Sequence, residues 1–465
     1  MFSASEQQQS LSVEDYFTST LNDTSFEDFP LPAADESETA SLHQPLSNAR
    51  PSVEDLVRIA SSKFIQSRSV AALPQFPELT ALSEEEWQSV ELARLLLEAA
   101  EEIGARRFAR AKPLLERCDW ASSPTGTPVQ RLVFYYSRAL RDRIDRETGR
   151  IASRDVAREQ SFDLYKVMMT PSIAAAEFHR KVPFAQVAQF AGIQCIFEHV
   201  ERSRNIHIID LGIRCGQQWT ILMHALSSKK RCRIKRLKIT AVTTLAKGPI
   251  EEIGERLVGF AQTMNLHCCF EVIAVRDFAE LNRAHFTLVP GEAVAVFAEH
   301  VVSTLTEPSN RLDSLVRAVR SLNPRVMVVT EVEGNQNSVA FVSRFVETLF
   351  FASAYFDCLE KCLGGQDEPL RGFAESTLMG EGSKIVLAIE GPERIIRNMK
   401  VDVWRTYFQR FGMAEAKLSS SSLYQAELVA KRLPSWSPCT VGMDGKSLIV
   451  GWKGMPIKSV TAWKF

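Results

Sequence analysis

Cationic residues are missing from the first 48 positions of this 465-residue chain. Nine acids (Glu6, Glu14, Asp15, Asp23, Glu27, Asp28, Asp35, Glu36 and Glu38) stand there against no Lys or Arg. The start, MFSASEQQQS, has neither a basic region nor an apolar core, so no secretory signal peptide is expected. Apolar runs such as Ala293–Ala298 fall far short of the roughly 20 residues that a spanning helix needs. Paired metal-ligand cysteines are lacking too: there is no C-x-x-C, and nine scattered cysteines read as free thiols of a reducing compartment. Neither a Walker loop, a nucleophile elbow nor H-E-x-x-H occurs, and no repeat of fixed period is present. Charge of one sign is absent over the whole chain, 55 Lys plus Arg against 56 Asp plus Glu. That argues against bulk coating of nucleic acid.

What is present divides into segments. Residues 1–48 carry Pro, Ser, Thr and Gln among the acids, too little apolar surface to offset the entropy of ordering, so a disordered tail is expected. Phe17, Leu21, Phe26 and Phe29 are interleaved with the acids, a pattern of activation tails in which charge keeps bulky side chains hydrated for a partner groove. A plain solvated tail fits the composition equally well. Residues 49–87 read as a linker with one short amphipathic helix near Val53–Ala60. Ser83 followed by Glu84, Glu85 and Glu86 suits a helix N-cap, and amphipathic stretches at Leu114–Cys118, Val129–Ile144, Ser161–Met169 and Val187–Val200 extend a helical region.

At Asn205 the pattern changes to short β-branched runs alternating with helices. Strands are expected at Ile206–Leu211, Leu237–Val242, Phe270–Ala274, Ala293–Phe297 and Arg325–Thr330. Helices are expected from Gln217, at Ile250–Met264, Leu312–Leu322 and Val339–Leu349. Such alternation means βαβ crossovers and a mostly parallel sheet covered on both faces. Lys384–Ile389, Ala426–Ala430 and Ser447–Trp452 read as further strands.

The most informative local chemistry is Asp210-Leu-Gly-Ile-Arg-Cys-Gly216 after the first strand. Gly212 and Gly216 would let backbone approach a nucleotide at the carboxyl end of a strand. The loop is longer than the D-x-G-x-G of S-adenosylmethionine-dependent methyltransferases. The next strand closes on Thr243 and Thr244, where nucleotide binders place an acid for the ribose. His207, among isoleucines, fits a hydrogen-bonded core histidine better than a catalyst. Lys229, Lys230, Arg231, Arg233, Lys235, Arg236 and Lys238 put seven cations into ten residues, an import signal, a phosphate-contacting patch or a solvated loop. Leu92, Leu95 and Leu96 have the L-x-x-L-L form of helices that dock in coactivator grooves, though such leucines also serve as core. Trp452 and Trp463, near the C-terminus, are expected to wedge into the core rather than to form a ligand box.

Together these residues resemble the GRAS family of plant transcriptional regulators. Ile206, His207, Ile208, Ile209 and Asp210 with Gln217, Gln218, Trp219 and Leu222 are similar to its V-H-I-I-D motif and following Q-W. Leu92–Leu140 and Pro249–Val302 resemble its two leucine-rich regions. Asn323, Pro324, Glu331, Asn335, Asn337, Phe341, Arg344, Phe345, Tyr355 and Phe356 resemble the P-F-Y-R-E region. Glu390, Gly391, Glu393, Arg394, Arg397, Trp404, Gly412, Trp452, Ala462 and Trp463 resemble the terminal S-A-W region, with Thr461 in place of its serine. The likeness spans residues 88–465. The core is similar to the SCARECROW-like and DELLA-like members, but no D-E-L-L-A sequence is present.

The resemblance implies an α/β, Rossmann-like, methyltransferase-like core over residues 201–465 and a helical cap over 88–200. It also implies a nuclear coregulator without cofactor or metal, not an enzyme, that reaches DNA mainly through DNA-binding factors such as zinc-finger proteins. Homo- or hetero-dimers with other GRAS proteins are implied as well. The alternative is a small-molecule binder or methyltransferase of S-adenosylmethionine type using Asp210–Gly216.

Overall fold

The computed structural model describes residues 51–66, 82–151, 173–228, 234–432 and 437–465. The acidic segment with its four apolar residues, the helix expected at Ser161–Met169, and Lys229, Lys230, Arg231 and Arg233 lie outside the described residues. The chain forms two compact units. One runs to Arg150 and takes in Ser338–Asp357; the other holds Ile151–Asn337 and Cys358–Phe465. This differs from a division at residue 200: the Ser338–Asp357 stretch belongs with the N-terminal helices, and Pro183–Val200 belongs with the sheet.

In the first unit four helices follow one another, α1 (Val53–Gln66), α2 (Glu84–Gly104), α3 (Phe108–Ala121) and α4 (Pro128–Glu147). Ser83 caps α2 as its sequence predicts. The hydroxyl accepts from the Glu86 amide, and the Ser83 amide donates back to the Glu86 carboxylate at 2.7 Å, a reciprocal capping box. Thr127 and Gln130 form a second one at α4, where Pro128 opens the helix without wasting a donor. α2 packs against both α1 and α3 along its buried Leu92, Leu96, Ala99, Ala100 and Ile103. Tyr136 is buried, and its hydroxyl donates to the Thr348 carbonyl at 2.8 Å.

The second unit starts with α5 (Ile173–Lys181) and α6 (Pro183–Val200). The alternation then runs β1 (Asn205–Leu211), α7 (Gln217–Ser227), β2 (Arg236–Thr243), α8 (Lys247–Thr263), β3 (Cys268–Ala274), β4 (Ala293–Glu299), α9 (Asn310–Ser321) and β5 (Val326–Val332). The long helix α10 (Phe341–Leu363) starts in the first unit and ends in the second. α11 (Glu368–Ala374), α12 (Gly382–Leu387), α13 (Val401–Gln409), β6 (Ala414–Ala416), α14 (Ser420–Arg432), β7 (Cys439–Asp444), β8 (Ser447–Trp452) and β9 (Met455–Lys464) complete the chain.

The strands make one sheet of order β3-β2-β1-β4-β5-β9-β8-β7, with β6 paired to β9. β1 to β5 are parallel, in the doubly wound order. β9 enters antiparallel beside β5, with Val328 opposite Ala462 and Met327 opposite Trp463. The fold is thus α/β and Rossmann-like, with an antiparallel extension. Helix α6 covers one face, where Gly192 permits close approach: a Cβ there would stand 3.1 Å from Val328. The other face buries Ile209, Val296, Met327, Leu315, Val319, Phe408 and Trp463 in one cluster with α9 and α13.

Two expected strands are helices instead. Lys384–Ile389 falls largely within α12, because a short apolar run carries no period that separates strand from buried helix. Ala426–Ala430 falls inside α14, whose buried Ser422, Ala426, Val429 and Ala430 recur at i, i+4, i+7 and i+8. Read over five residues, that helical stripe passes for a strand.

Candidate functional site

The start of α7 packs on the carboxyl ends of β1 and β4, the adjacent strands where the strand order reverses and where doubly wound sheets hold ligands. Asp210, next to last in β1, is 1% exposed. Its Oδ2 accepts a hydrogen bond from Trp219 Nε1 at 2.8 Å and another from Gln218 Nε2 at 3.1 Å. Both donors come from the first turn of α7, so the helix that follows the loop closes back on the acid that precedes it. Burial pushes the Asp210 carboxyl up to about 7, against those two hydrogen bonds.

The two glycines of the loop have specific tasks. Gly212 has φ +93°, and its amide donates to the Val242 carbonyl at 3.0 Å, tying the loop to β2. Gly216, at φ +73°, caps α7, and a Cβ there would stand 2.8 Å from Ile253 Cγ2 and 3.1 Å from Leu257 Cδ1. Helix α8 therefore packs onto the glycine with its own side chains. At the end of β2, the Thr243 hydroxyl accepts the Leu245 amide at 3.0 Å, a local turn rather than a carboxylate grip.

Beside the loop lies a buried charged group that sequence reading missed. Glu299 closes β4 and receives Lys458 Nζ at 2.8 Å and Gln189 Nε2 at 3.0 Å. Burial works to raise Glu299, but Lys458 and then Arg214 hold it well below the usual carboxylate range, so it stays ionised. Glu331 on β5 accepts the Val302 and Ser303 amides at 2.8 and 3.3 Å, and burial lifts it to about 7. Glu333 accepts the Val401 amide at 3.0 Å and is likewise lifted to about 7 by burial. The signal that could have found this set is an acid near the carboxyl end of three successive central strands: Asp210, Glu299 and Glu331.

Ile206, His207, Ile208 and Ile209 are fully buried in β1. His207 Nε2 shares a hydrogen bond with Thr240 Oγ1 at 2.7 Å. Burial drives its pKa down to about 3, so it is a neutral core histidine. Lys235 is exposed and Arg236 half-buried, while Lys238 turns inward to Glu271 at 2.6 Å and to the Thr287 carbonyl at 3.1 Å. Lys238 is therefore removed from any phosphate-contacting patch. Leu92, Leu95 and Leu96 are 5%, 5% and 0% exposed, inside the first unit's core rather than presented to a groove. Trp452, Ala462 and Trp463 are fully buried, as expected of wedges. Thr461 Oγ1 accepts Trp463 Nε1 at 2.8 Å, a hydroxyl task that serine or threonine performs. Asn337 Oδ1 accepts hydrogen bonds from Arg394 and Arg397 at 3.2 and 3.1 Å, which joins residues of two of the motif regions in one cluster.

The core is Rossmann-like, its glycine loop is packed by its own helices, and the motif acid is engaged by the chain itself. The chain belongs to the GRAS domain family, whose profile matches residues 92–464. It is 28% identical over 387 residues to Scarecrow-like protein 11 of Arabidopsis thaliana, covering 81% of this chain and 62% of that protein. It is 31% identical over 392 residues to Protein SCARECROW 1 of Oryza sativa subsp. indica, covering 81% of this chain and 56% of that one. DELLA protein GAIP of Cucurbita maxima is 23% identical over 450 residues, with 96% and 73% covered. The chain thus spans about six-tenths of the length of the first two relatives. Among solved structures, SCL7 of Oryza sativa superposes with a TM-score of 0.69 at 25% identity, over 80% of this chain and 99% of that one.

Proposed function

We propose that this protein is a nuclear transcriptional regulator or coregulator, in plant development, hormone or symbiosis signalling, that acts through protein–protein contacts and is not an enzyme. Family membership supports transcriptional regulation. The observation that carries the non-catalytic reading is the Asp210 carboxylate. It is engaged by Trp219 and Gln218 of its own chain, beside a glycine whose free space is filled by Ile253 and Leu257. Its partners in this reading are DNA-binding factors, zinc-finger proteins among them, and other GRAS proteins in homo- or hetero-dimers, with DNA reached mainly through them. Residues 1–48, through Phe17, Leu21, Phe26 and Phe29, recruit transcriptional machinery.

Calorimetric titration of the full chain with S-adenosylmethionine tests this against the small-molecule alternative. No binding is expected. Micromolar affinity that disappears in Asp210→Ala while the fold persists would overturn the reading. From the other side, residues 1–48 fused to a DNA-binding domain should activate a reporter. If they do not, and alanines at Phe17, Phe26 and Phe29 change nothing, the segment has no recruiting role.

A further inference from the structure

Helix α3 buries Ala111, Leu115 and Cys118 against its neighbours and turns a different kind of face outward. Arg110, Pro113, Arg117 and Trp120 fall at i, i+3, i+7 and i+10, which places them in one stripe about 80° wide on the helix. All four are exposed, and Trp120 is 90% exposed, the most of any large apolar side chain among the described residues. The neighbouring charges are matched: Arg107 pairs with Glu102 at 2.6 Å, and Asp119 with Arg141 and Ser137. Arg110 and Arg117 hold no carboxylate within hydrogen-bond reach among the described residues. Glu116 stands at the stripe's edge in sequence, and Glu91 of α2, held low chiefly by its hydrogen bond to Arg94, also feels the Arg117 charge. An indole flanked by two such guanidiniums is the composition of an interaction hot spot, with an apolar platform for aromatic side chains and cations for acids.

One segment of the same chain carries the complementary pattern. Residues 14–29 contain Glu14, Asp15, Asp23, Glu27 and Asp28 interleaved with Phe17, Phe26 and Phe29, without a single cation. The connection is long enough. From Phe29 to Val53, where α1 begins, 24 residues can span roughly 80 Å. α2, which lies between α1 and α3, is 21 residues or about 31 Å long. Tethering of this kind gives an effective concentration on the order of millimolar, so a contact too weak to matter between molecules suffices within one.

We propose that the acidic, phenylalanine-bearing segment 14–29 docks on the Arg110–Pro113–Arg117–Trp120 face of α3 in its own chain. Phe26 or Phe29 lies on the Trp120 ring and Pro113, and the flanking acids meet Arg110 and Arg117. A docked segment withholds its phenylalanines from other partners, so the contact holds the segment back until a competitor takes it. The docking stands whether or not the segment activates transcription, because its test reads the contact and not the reporter.

The experiment uses the full-length protein and a protease that cuts after glutamate, monitoring cleavage after Glu14 and Glu27 at low protein concentration. Docking should slow those cuts about fivefold relative to Trp120→Ala or to Arg110→Glu with Arg117→Glu, given millimolar effective concentration. The protection should fade in high salt, while the exposed-face variants keep the wild-type melting temperature. Adding Asp23→Lys and Asp28→Lys to the double arginine reversal should restore it. Equal cleavage in wild type and variants overturns the proposal. So does protection that grows with protein concentration, which assigns the face to a second copy. Loss of DNA retardation in the face variants with cleavage unchanged overturns it as well, and gives the face to nucleic acid.

Discussion

Trp219 donates its indole N–H to the Asp210 carboxylate at 2.8 Å, and Gln218 adds a second hydrogen bond at 3.1 Å. The Q-W that follows the V-H-I-I-D-like run is thereby given a physical role: it satisfies the motif's own buried acid. The pairing holds α7 against β1 across the Asp210–Gly216 loop, so motif and helix behave as one structural unit.

A pH dependence follows from that burial. Asp210, Glu331 and Glu333 are lifted to about 7 from ordinary values near 4, so the folded chain keeps protons that the unfolded chain releases. Their contribution to stability is full below about pH 4 and is lost as pH rises towards 7. His179 and His207, driven by burial to about 4 and 3, act the other way, adding stability as pH rises from about 4 until the contribution is full above about 6.5. Asp210→Asn keeps the shape of the neutral acid and should remove the Asp210 share of the decline between about pH 4 and 7, read as the difference between wild-type and variant thermal melts, in which the histidine contributions cancel. Asp210→Ala should instead cost about 1–3 kcal/mol at every pH, because two donors lose their acceptor. Parallel melting profiles for wild type and Asp210→Asn would refute the assignment.

Lys458 and Glu299 form the buried ion pair of the sheet's carboxyl end, 2.8 Å apart. Removing one partner strands the other. Lys458→Met should destabilise by about 3–5 kcal/mol, and the double change with Glu299→Gln should recover most of that loss. Denaturant unfolding of the single and double variants measures the difference. Additive losses would mean that the pair is not coupled.

The legible and the hidden parts of this molecule divide along a physical line. β1, β2, β4, β5 and the Ser83 cap were readable because β-branched runs and a Ser-x-x-Glu box act locally. β9 was not: Met455–Lys464 lies inside the sheet between β5 and β8 and is buried on both faces, so its polar Lys458, Ser459 and Thr461 break up the apolar run that would mark a central strand. Its place is fixed by partners far away in sequence. The same holds for the Glu299–Lys458 pair, whose members stand 159 residues apart. His207 and the terminal tryptophans were correctly expected in the core, since bulky groups among apolar neighbours bury themselves. The inward turn of Lys238 was invisible, because the Glu271 that takes it comes from a neighbouring strand.

Trp463 packs on Phe408 with ring centroids 4.8 Å apart, and its N–H is satisfied by Thr461. Trp463→Ala should therefore cost about 3–5 kcal/mol. The melting temperature should fall, and every partner should bind more weakly together. Thr461→Ser should be nearly silent, because the accepting hydroxyl survives. A Trp463→Ala protein that keeps its full stability and loses one partner would mark a recognition surface instead.

The last prediction concerns the route to DNA. Specific binding needs side chains at base edges in addition to cations on phosphates. The basic run is short, and Lys238 is already bound to Glu271 within the sheet. What remains is a sequence-blind, salt-sensitive attraction, with dissociation constants of roughly 10⁻⁴–10⁻⁶ M. Fluorescence anisotropy of the full chain on a target promoter and on scrambled DNA, at physiological salt, should give equal and weak binding to both. Replacing Lys229, Lys230, Arg231 and Arg233 by alanine should abolish nuclear entry of a fluorescent fusion and leave that weak binding nearly unchanged, which assigns the run to import. Nanomolar binding that rejects the scrambled duplex without a partner would defeat the coregulator reading, because the chain would then choose its promoters itself.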